Sequence, residues 1–339
     1  MGQRPTIRDL ARAAGVGTAT ADRALHGRGN VSDRMRQRIA EAAERIGYRL
    51  PSDTTAPSAP LRRINLGFVL HKPSQSFYQR FATEIEAACA AHPAANITPH
   101  IEYSASQSPD DFCAAITRAA QNTRAVAATA INHPSLSRLV TELQAQGTPI
   151  YSLLNDFGGR AGAGYFGLDN MKVGRIAGWM MALRLQRPGR VGIFVGGTRW
   201  HGHSLRETGF RNALHEYAPQ IAIADTVVNL ETRQVTYEAT LDLLSRHSDL
   251  AGLYVAGGGM EGAIAALREV RPPNKVALIV NELTPESQNA LADRYALMCV
   301  ATPLKELCAA LVDSMAQAPD LEVSSPTLFE PNLLLPESF

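Results

Sequence analysis

Residues 6–48 read TIRDLARAAGVGTATADRALHGRGNVSDRMRQRIAEAAERIGY, and the periodicity of this stretch governs how the rest of the chain is understood. Thr6 suits an N-cap, and Ile7, Leu10, Ala11 and Ala14 recur at i, i+3, i+4 and i+7, the mark of one buried helical face. Gly15-Val16-Gly17 breaks that helix, and a second is predicted over 18–25. A third starts after Asn30-Val31 with Ser32 as its cap. It carries Met35, Ile39, Ala43 and Ile46 on one side and ends at Gly47. Two short helices joined by a tight glycine-containing turn make a helix-turn-helix, in which the second helix enters a major groove. On that helix Ala21, Ala24 and Leu25 pack inward, which turns Thr18, Ala19, Asp22 and Arg23 outward. Threonine and arginine bond both base edges and phosphates. A plain three-helix bundle with a solvated face has the same spacing, and charge separates the two readings. Residues 1–50 hold ten arginines against five acidic residues, a balance of +5, whereas the whole chain is +1 and the remainder therefore −4. A basic module on an acidic body suits phosphate contact.

The run Thr6-Ile7-Arg8-Asp9-Leu10-Ala11, then Ala14-Gly15-Val16, Ala19-Thr20, Arg23-Ala24-Leu25 and Val31-Ser32 through Ile46-Gly47-Tyr48 resembles the N-terminal domain of the lac repressor (LacI) family. The resemblance covers nearly all of residues 1–50. It implies that Thr18 and Ala19 read bases, that Thr20 and its neighbours hold phosphates and that Arg23 contacts DNA. Thr6, Asp22, Arg28 and Asn30 complete the expected DNA-facing set. Two positions depart from the family: Gly17 stands where a serine cap is usual, and Asp22 replaces a second serine on the DNA side. A carboxylate there repels phosphate unless Arg23 or a cytosine amino group satisfies it, which bears on the target sequence.

At 339 residues the chain has room for two or three folding units. No early stretch pairs a basic start with an apolar run and a cleavage site, and no segment approaches the roughly twenty apolar residues of a membrane span, so a cytoplasmic protein is expected. Cys89, Cys113, Cys299 and Cys308 are scattered, with no pair at metal-ligand spacing; reduced, mostly buried thiols are expected, with no metal or cofactor.

Three domains follow: 1–50, the all-α helix-turn-helix; a linker, 51–63; and 64–339. The linker opens PSDTTAPSAP, whose prolines argue for a semi-extended chain. The family often has a hinge helix here with an alanine-arginine pair and a leucine wedge, a pattern this sequence lacks, although Arg62 and Arg63 can touch phosphates. From Ile64 strands and helices alternate. Strands are predicted at 64–70, 97–103, 125–130 and 148–154, with helices at 77–92, 109–121 and 136–146. A second series has helices at 171–185, 203–217, 232–246, 261–270 and 285–292 between strands at 190–195, 221–228, 252–255, 275–280 and 297–300. A last helix, 304–315, is expected to return to the first series. Such repeats predict an α/β body of two parallel sheets flanked by helices. With a junction at Gly167-Leu168-Asp169-Asn170, they form two lobes: about 64–168 plus 301–339, and about 169–300. This half resembles the periplasmic sugar-binding protein fold that serves as the family's effector domain.

Ligands of such sheets bind outside the carboxyl ends of the strands, which nominates the loops there. Phe77 and Tyr78 can stack on a sugar ring or belong to the core. His133 ends the third strand, as a cleft contact or a solvated loop residue. Asp156 either accepts hydroxyl protons or serves the turn Asn155-Asp156-Phe157-Gly158-Gly159. Asp169 braces the junction or enters the site. Arg206 matches the arginine that clamps effector oxygens in the resembling family, and its planar fork suits paired oxygens; an ion pair with Glu207 or Glu216 is its plain alternative. Asn281 and Glu282 can accept hydroxyls, or Glu282 can face a helix N-terminus. His201-Gly202-His203 favours a cleft-lining histidine over zinc. Gly257-Gly258-Gly259 allows close backbone approach, with Gly258 as a contact, but lacks a Gly-Lys-Ser/Thr ending for phosphate chemistry.

The sequence thus predicts an effector-controlled DNA-binding regulator, a repressor, and not an enzyme. Its expected partners are double-stranded operator DNA, a sugar or polyol, and a second copy of itself in a homodimer or tetramer; no membrane partner is expected. A purine or other non-sugar effector is the first rival. An α/β enzyme with an incidental helical N-terminus is the second, and no Gly-x-Ser-x-Gly elbow appears to support it.

Overall fold

The computed structural model describes residues 5–25, 31–48, 62–317 and 325–339. The chain divides into two compact units, Met1–Arg62 and Arg63–Phe339.

The smaller unit holds α1 (Ile7–Ala14), α2 (Thr18–Leu25) and α3 (Asp33–Ile46). Thr6 forms a capping box with Asp9, and Gly15 (φ 67°) and Gly47 (φ 69°) end α1 and α3 in left-handed geometry, where a β-carbon would clash with its own carbonyl. Ser32 sits at the N-cap of α3, but its hydroxyl makes no capping bond. Leu10, Ala14, Ala24, Leu25, Ile39, Ala42 and Ala43 form the core; Met35 and Ile46 pack at its margin. Small alanines let the helices approach closely, and Arg45 Nη2 donates to the Ala13 carbonyl at 2.7 Å, tying α3 to α1. The linker prolines over 51–60 lie outside the described residues.

The larger unit begins β1 (Arg62–His71), α4 (Ser76–Ala91), β2 (Ala95–Ser104), α5 (Pro109–Ala119), β3 (Val126–Ala128), α6 (Pro134–Ala145), β4 (Ile150–Leu153) and β5 (Gly164–Leu168). It continues with α7 (Asn170–Arg184), β6 (Gly189–Val195), α8 (His201–Tyr217), β7 (Ile221–Val228), α9 (Arg233–Arg246), β8 (Leu250–Val255) and α10 (Met260–Val270). It closes with β9 (Ala277–Asn281), α11 (Pro285–Ala292), β10 (Met298–Ala301), α12 (Leu304–Gln317), β11 (Thr327–Phe329) and β12 (Asn332–Leu334). Two six-stranded sheets result, ordered β11-β5-β4-β3-β1-β2 and β12-β10-β9-β8-β6-β7. Their central strands are buried on both faces, which explains apolar runs such as Phe68-Val69-Leu70 and Leu253-Tyr254-Val255.

Three strands depart from the sequence expectation. β5 is interrupted by glycine and carries too short an apolar run to be read as a strand. β11 and β12 are three residues each. β12 also corrects the lobe boundary: residues 301–339 do not all belong with the first lobe, because Asn332–Leu334 pairs antiparallel with β10 of the second sheet. That sheet is therefore mixed at its edge. The chain passes between lobes after β5, after β10 and after β11. Helix α12 packs into the first lobe's core through Leu304, Leu307, Cys308 and Leu311.

Candidate functional site

Thr18, Ala19, Asp22 and Arg23 are exposed on α2, Thr20 is half-buried, and Ala21, Ala24 and Leu25 face the core, the division that helical spacing predicts. Arg23 Nε lies along its own helix, donating to the Ala19 carbonyl at 3.1 Å. Thr6 is exposed, but its hydroxyl donates to Asp9 at 2.6 Å. Arg28 and Asn30 lie outside the described residues.

In the larger unit a cleft opens where the strands of both sheets end, with about 710 Å³ of empty space, its mouth included. From the first lobe come Gln75, Phe77, Tyr78, Thr129, Leu154 and Asn155. The second contributes Asn170, Trp200, His203, Arg206, Glu231, the Gly257–Gly259 turn, Met260, Glu261, Asn281 and Glu282.

Arg206 is buried, at 6% exposure. Its Nε donates to Asn170 Oδ1 at 2.7 Å and its Nη1 to the Ala256 carbonyl at 2.8 Å. Neither candidate ion pair forms: Glu207 binds Arg211, and Glu216 binds Arg175. Asn281 Nδ2 donates to the Val255 carbonyl at 2.8 Å, while its Oδ1 is buried without a partner, as is Thr129 Oγ1 across the cleft. A buried polar atom left unpaired costs about 1–3 kcal/mol, and both residues line the cleft. Phe77 and Tyr78 stand edge to face at 5.1 Å, with Tyr78 largely in the core. Glu282 adopts φ 71° and takes Thr302 N–H at 3.0 Å and Thr302 Oγ–H at 2.7 Å, so it braces the segment that crosses to α12 while lining the cleft. Burial raises its pKa, and the Arg206 charge and these bonds oppose the rise.

Three expected contacts do not line the cleft. His133 caps α6, its Nδ1 accepting from Ser135 N–H at 3.3 Å. Asp156 takes the Gly159 N–H at 3.1 Å, serving the turn. Asp169 caps α7 through Lys172 N–H at 3.0 Å, and its neighbour Asn170 enters the site instead. Cap and turn chemistry wins at all three because a free helix or turn N–H lies within reach of the side chain.

Glu231 was not anticipated. It follows β7, at the same carboxyl-end position that nominated the other loops. Leu230 and Glu231 have φ of 52° and 53°, two successive left-handed residues without glycine. Buried Asn229 braces them: its Oδ1 accepts Glu231 N–H at 2.9 Å and its Nδ2 donates to the Gly258 carbonyl at 2.8 Å. From the first lobe Lys72 Nζ donates to the Leu230 and Glu231 carbonyls, both at 2.8 Å, and Gln75 Nε2 to the Glu231 carbonyl at 3.0 Å. The Glu231 carboxylate takes Gly258 N–H at 3.2 Å and Gln107 Nε2 at 3.3 Å, with Lys72 Nζ at 3.8 Å. Burial works to raise its pKa, but the facing His203, Lys72 and His71 hold it below the ordinary glutamate value. Burial lowers the pKa of His71 and of His203 to about 4, so both are neutral at pH 7 and Lys72 supplies the full charge beside Glu231. His203 Nδ1 accepts the Gly196 N–H at 3.1 Å, which puts its own N–H on Nε2, 3.8 Å from Glu231. His201 is exposed, so the two histidines of this turn diverge. No helix among the described residues is long and apolar enough to cross a membrane.

Residues 66–320 match the periplasmic binding protein domain family, and residues 6–51 match the bacterial regulatory proteins of the lacI family. The HTH-type transcriptional regulator GalS of Salmonella typhimurium is 25% identical over 271 residues, 78% of this chain and 75% of that protein. The glucose-galactose binding protein GanP of Geobacillus stearothermophilus superimposes with a TM-score of 0.73 at 18% identity, covering 82% of this chain and 99% of that one. An ABC transporter solute-binding protein from Burkholderia graminis, in complex with D-arabinose, gives 0.75 at 15% identity over 82% of this chain and 96% of that one.

Proposed function

We propose a function from one premise: the chain belongs to the lacI family of bacterial regulatory proteins, with a periplasmic binding protein domain as its larger unit. It is a sequence-specific DNA-binding transcription regulator, acting as a cytoplasmic repressor. Its lobes close on a small polyhydroxylated effector, a sugar or polyol. Two copies present their α2 helices to the half-sites of a near-palindromic operator. The observation that carries the effector reading is the pair Thr129 Oγ1 and Asn281 Oδ1: both buried, both unpaired, one from each lobe of a single cleft. A ligand that bonds both favours the closed lobes over the open ones, and that difference in affinity is what couples to DNA. Arg206, Phe77 and Gly258 line the same space.

Calorimetric titration of the full chain with sugars, polyols and purines tests the reading, followed by operator binding with and without whichever compound binds. A polyol that binds and changes operator affinity supports it. Exclusive binding of a purine sinks the sugar claim. Genomic footprinting names the operator.

A further inference from the structure

We infer that the cleft selects an effector without an anionic group and turns away phosphorylated and carboxylated sugars, an inference that rests on the sugar or polyol reading above. Gly257-Gly258-Gly259 leads into the N-terminus of α10, and a glycine turn before a helix is where many folds seat a phosphate on free N–H groups. Here that position is filled by the protein itself, because Gly258 N–H is given to Glu231 Oε1 at 3.2 Å. The fit is close: a β-carbon on Gly258 would stand 3.0 Å from Glu231 Cβ. The backbone of Glu231 is fixed by Asn229, Lys72 and Gln75, and its carboxylate is held by Gln107 Nε2 at 3.3 Å and faces Lys72 Nζ at 3.8 Å.

The charges lining the cleft point the same way. Glu231, Glu261 and Glu282 are acidic, and the one cationic side chain among the described lining residues is Arg206. Its Nε and Nη1 are taken by Asn170 and Ala256. Lys72, just outside, spends its ammonium on two carbonyls. His203 is neutral at pH 7 and offers a single N–H. What remains for a ligand is mostly uncharged: Thr129, Asn281, His203 and the Phe77 ring, with Arg206 Nη2 the one cationic donor left among the described lining residues. Hydroxyl groups match these donors and acceptors, whereas a phosphate or carboxylate meets the ionised Glu231, with Glu261 and Glu282 beside it, against the single guanidinium of Arg206.

The test uses matched pairs on the full chain: glucose with glucose 6-phosphate, galactose with galacturonate, ribose with ribose 5-phosphate, and adenine beside them. Any pair that binds is expected to favour its neutral member at least tenfold. An anionic member that binds as tightly as its neutral partner overturns the inference and leaves the polyol reading standing, whereas adenine binding alone overturns the polyol reading itself. Inorganic phosphate gives a second arm, followed by Trp200 emission in a Trp179→Phe background at constant ionic strength. The parent is expected to show no saturable change, and Glu231→Ala to gain one as the seat at Gly258 empties. A saturable phosphate response in the parent sinks the proposal, and that reading does not depend on whether Glu231→Ala folds.

Discussion

Gly174 and Arg206 pack so closely that a β-carbon on the glycine would stand 2.0 Å from the arginine's carbonyl oxygen. The same backbone-to-backbone approach recurs along the two helices, with Gly178 against Phe210 and Gly209 against Met171. These glycines set the depth at which α8 lies on α7, and so the point from which Arg206 reaches Asn170. Gly174→Ala is therefore expected to push the helices apart. Overpacking costs about 1–3 kcal/mol, which outweighs alanine's gain of up to about 1 kcal/mol in helix propensity. A lower thermal midpoint together with at least tenfold weaker effector binding is the expected result; an unchanged midpoint refutes the packing argument.

Lys72 joins the lobes. Its ammonium holds two carbonyls of a loop whose left-handed residues have no glycine to ease them. Hydrogen bonds to charged groups contribute about 1.5–3 kcal/mol each, so Lys72→Met should release the 229–232 loop. Hydrogen exchange of the Glu231 and Thr232 amides is expected to quicken, with effector affinity falling at least tenfold. Protection equal to the parent's would show that Asn229 alone secures the loop.

Acid should weaken the fold over a defined window. Burial lowers the pKa of His71 and of His203 to about 4 in the folded chain, against 6.5 for an ordinary histidine. Between those limits the unfolded chain binds protons that the folded chain refuses, so stability falls as pH drops from 6.5 and levels off below 4. Each shift corresponds to on the order of 3 kcal/mol. Glu231, with its lowered pKa, adds to the loss in the carboxylate range, and Glu261 and Glu282, with raised values, oppose it. Thermal midpoints at pH 7, 5.5 and 4.5 should decline steadily in the parent and less steeply in His203→Asn. A parent curve flat to pH 4.5 would contradict the burial account.

Arg206 separates charge from geometry. Arg206→Lys keeps the cation but cannot hold Asn170 Oδ1 and the Ala256 carbonyl together. Both Arg206→Lys and Arg206→Ala should lose the effector response while operator DNA still binds. Recovery of the response in Arg206→Lys would reduce the residue to a point charge.

The alternation of strands and helices was legible because each period is written in the apolar pattern: 3.6 along the helices, and unbroken runs for strands buried on both faces. β5, β11 and β12 escaped because three to five residues with glycine or a nearby proline carry no period. Sites followed the same divide. Arg206 was nominated through the family resemblance and Asn281 from its place at the end of β9, and both line the cleft, while His133, Asp156 and Asp169 were claimed by caps and turns. Glu231 was missed because its role depends on Lys72 and Gln75, more than 150 positions away in sequence. Local patterns record local bonds, and an inter-lobe contact leaves no trace in spacing.

Asp22 offers the sharpest test of the DNA-reading face. It is exposed on α2 beside Arg23, on the side turned away from Ala21, Ala24 and Leu25. A carboxylate facing phosphates lowers affinity for every sequence, but one that accepts from a cytosine amino group lowers affinity only for the wrong sequences. Asp22→Asn distinguishes these. If Asp22 only repels, the variant binds operator and random duplex several-fold tighter alike, and the slope of log K against log salt becomes steeper. If Asp22 reads a base, operator affinity falls by about tenfold, the worth of one base contact, while random duplex gains. We expect the second pattern, because in the first the charge weakens every complex and gains no discrimination. Equal tightening on both duplexes would reject it.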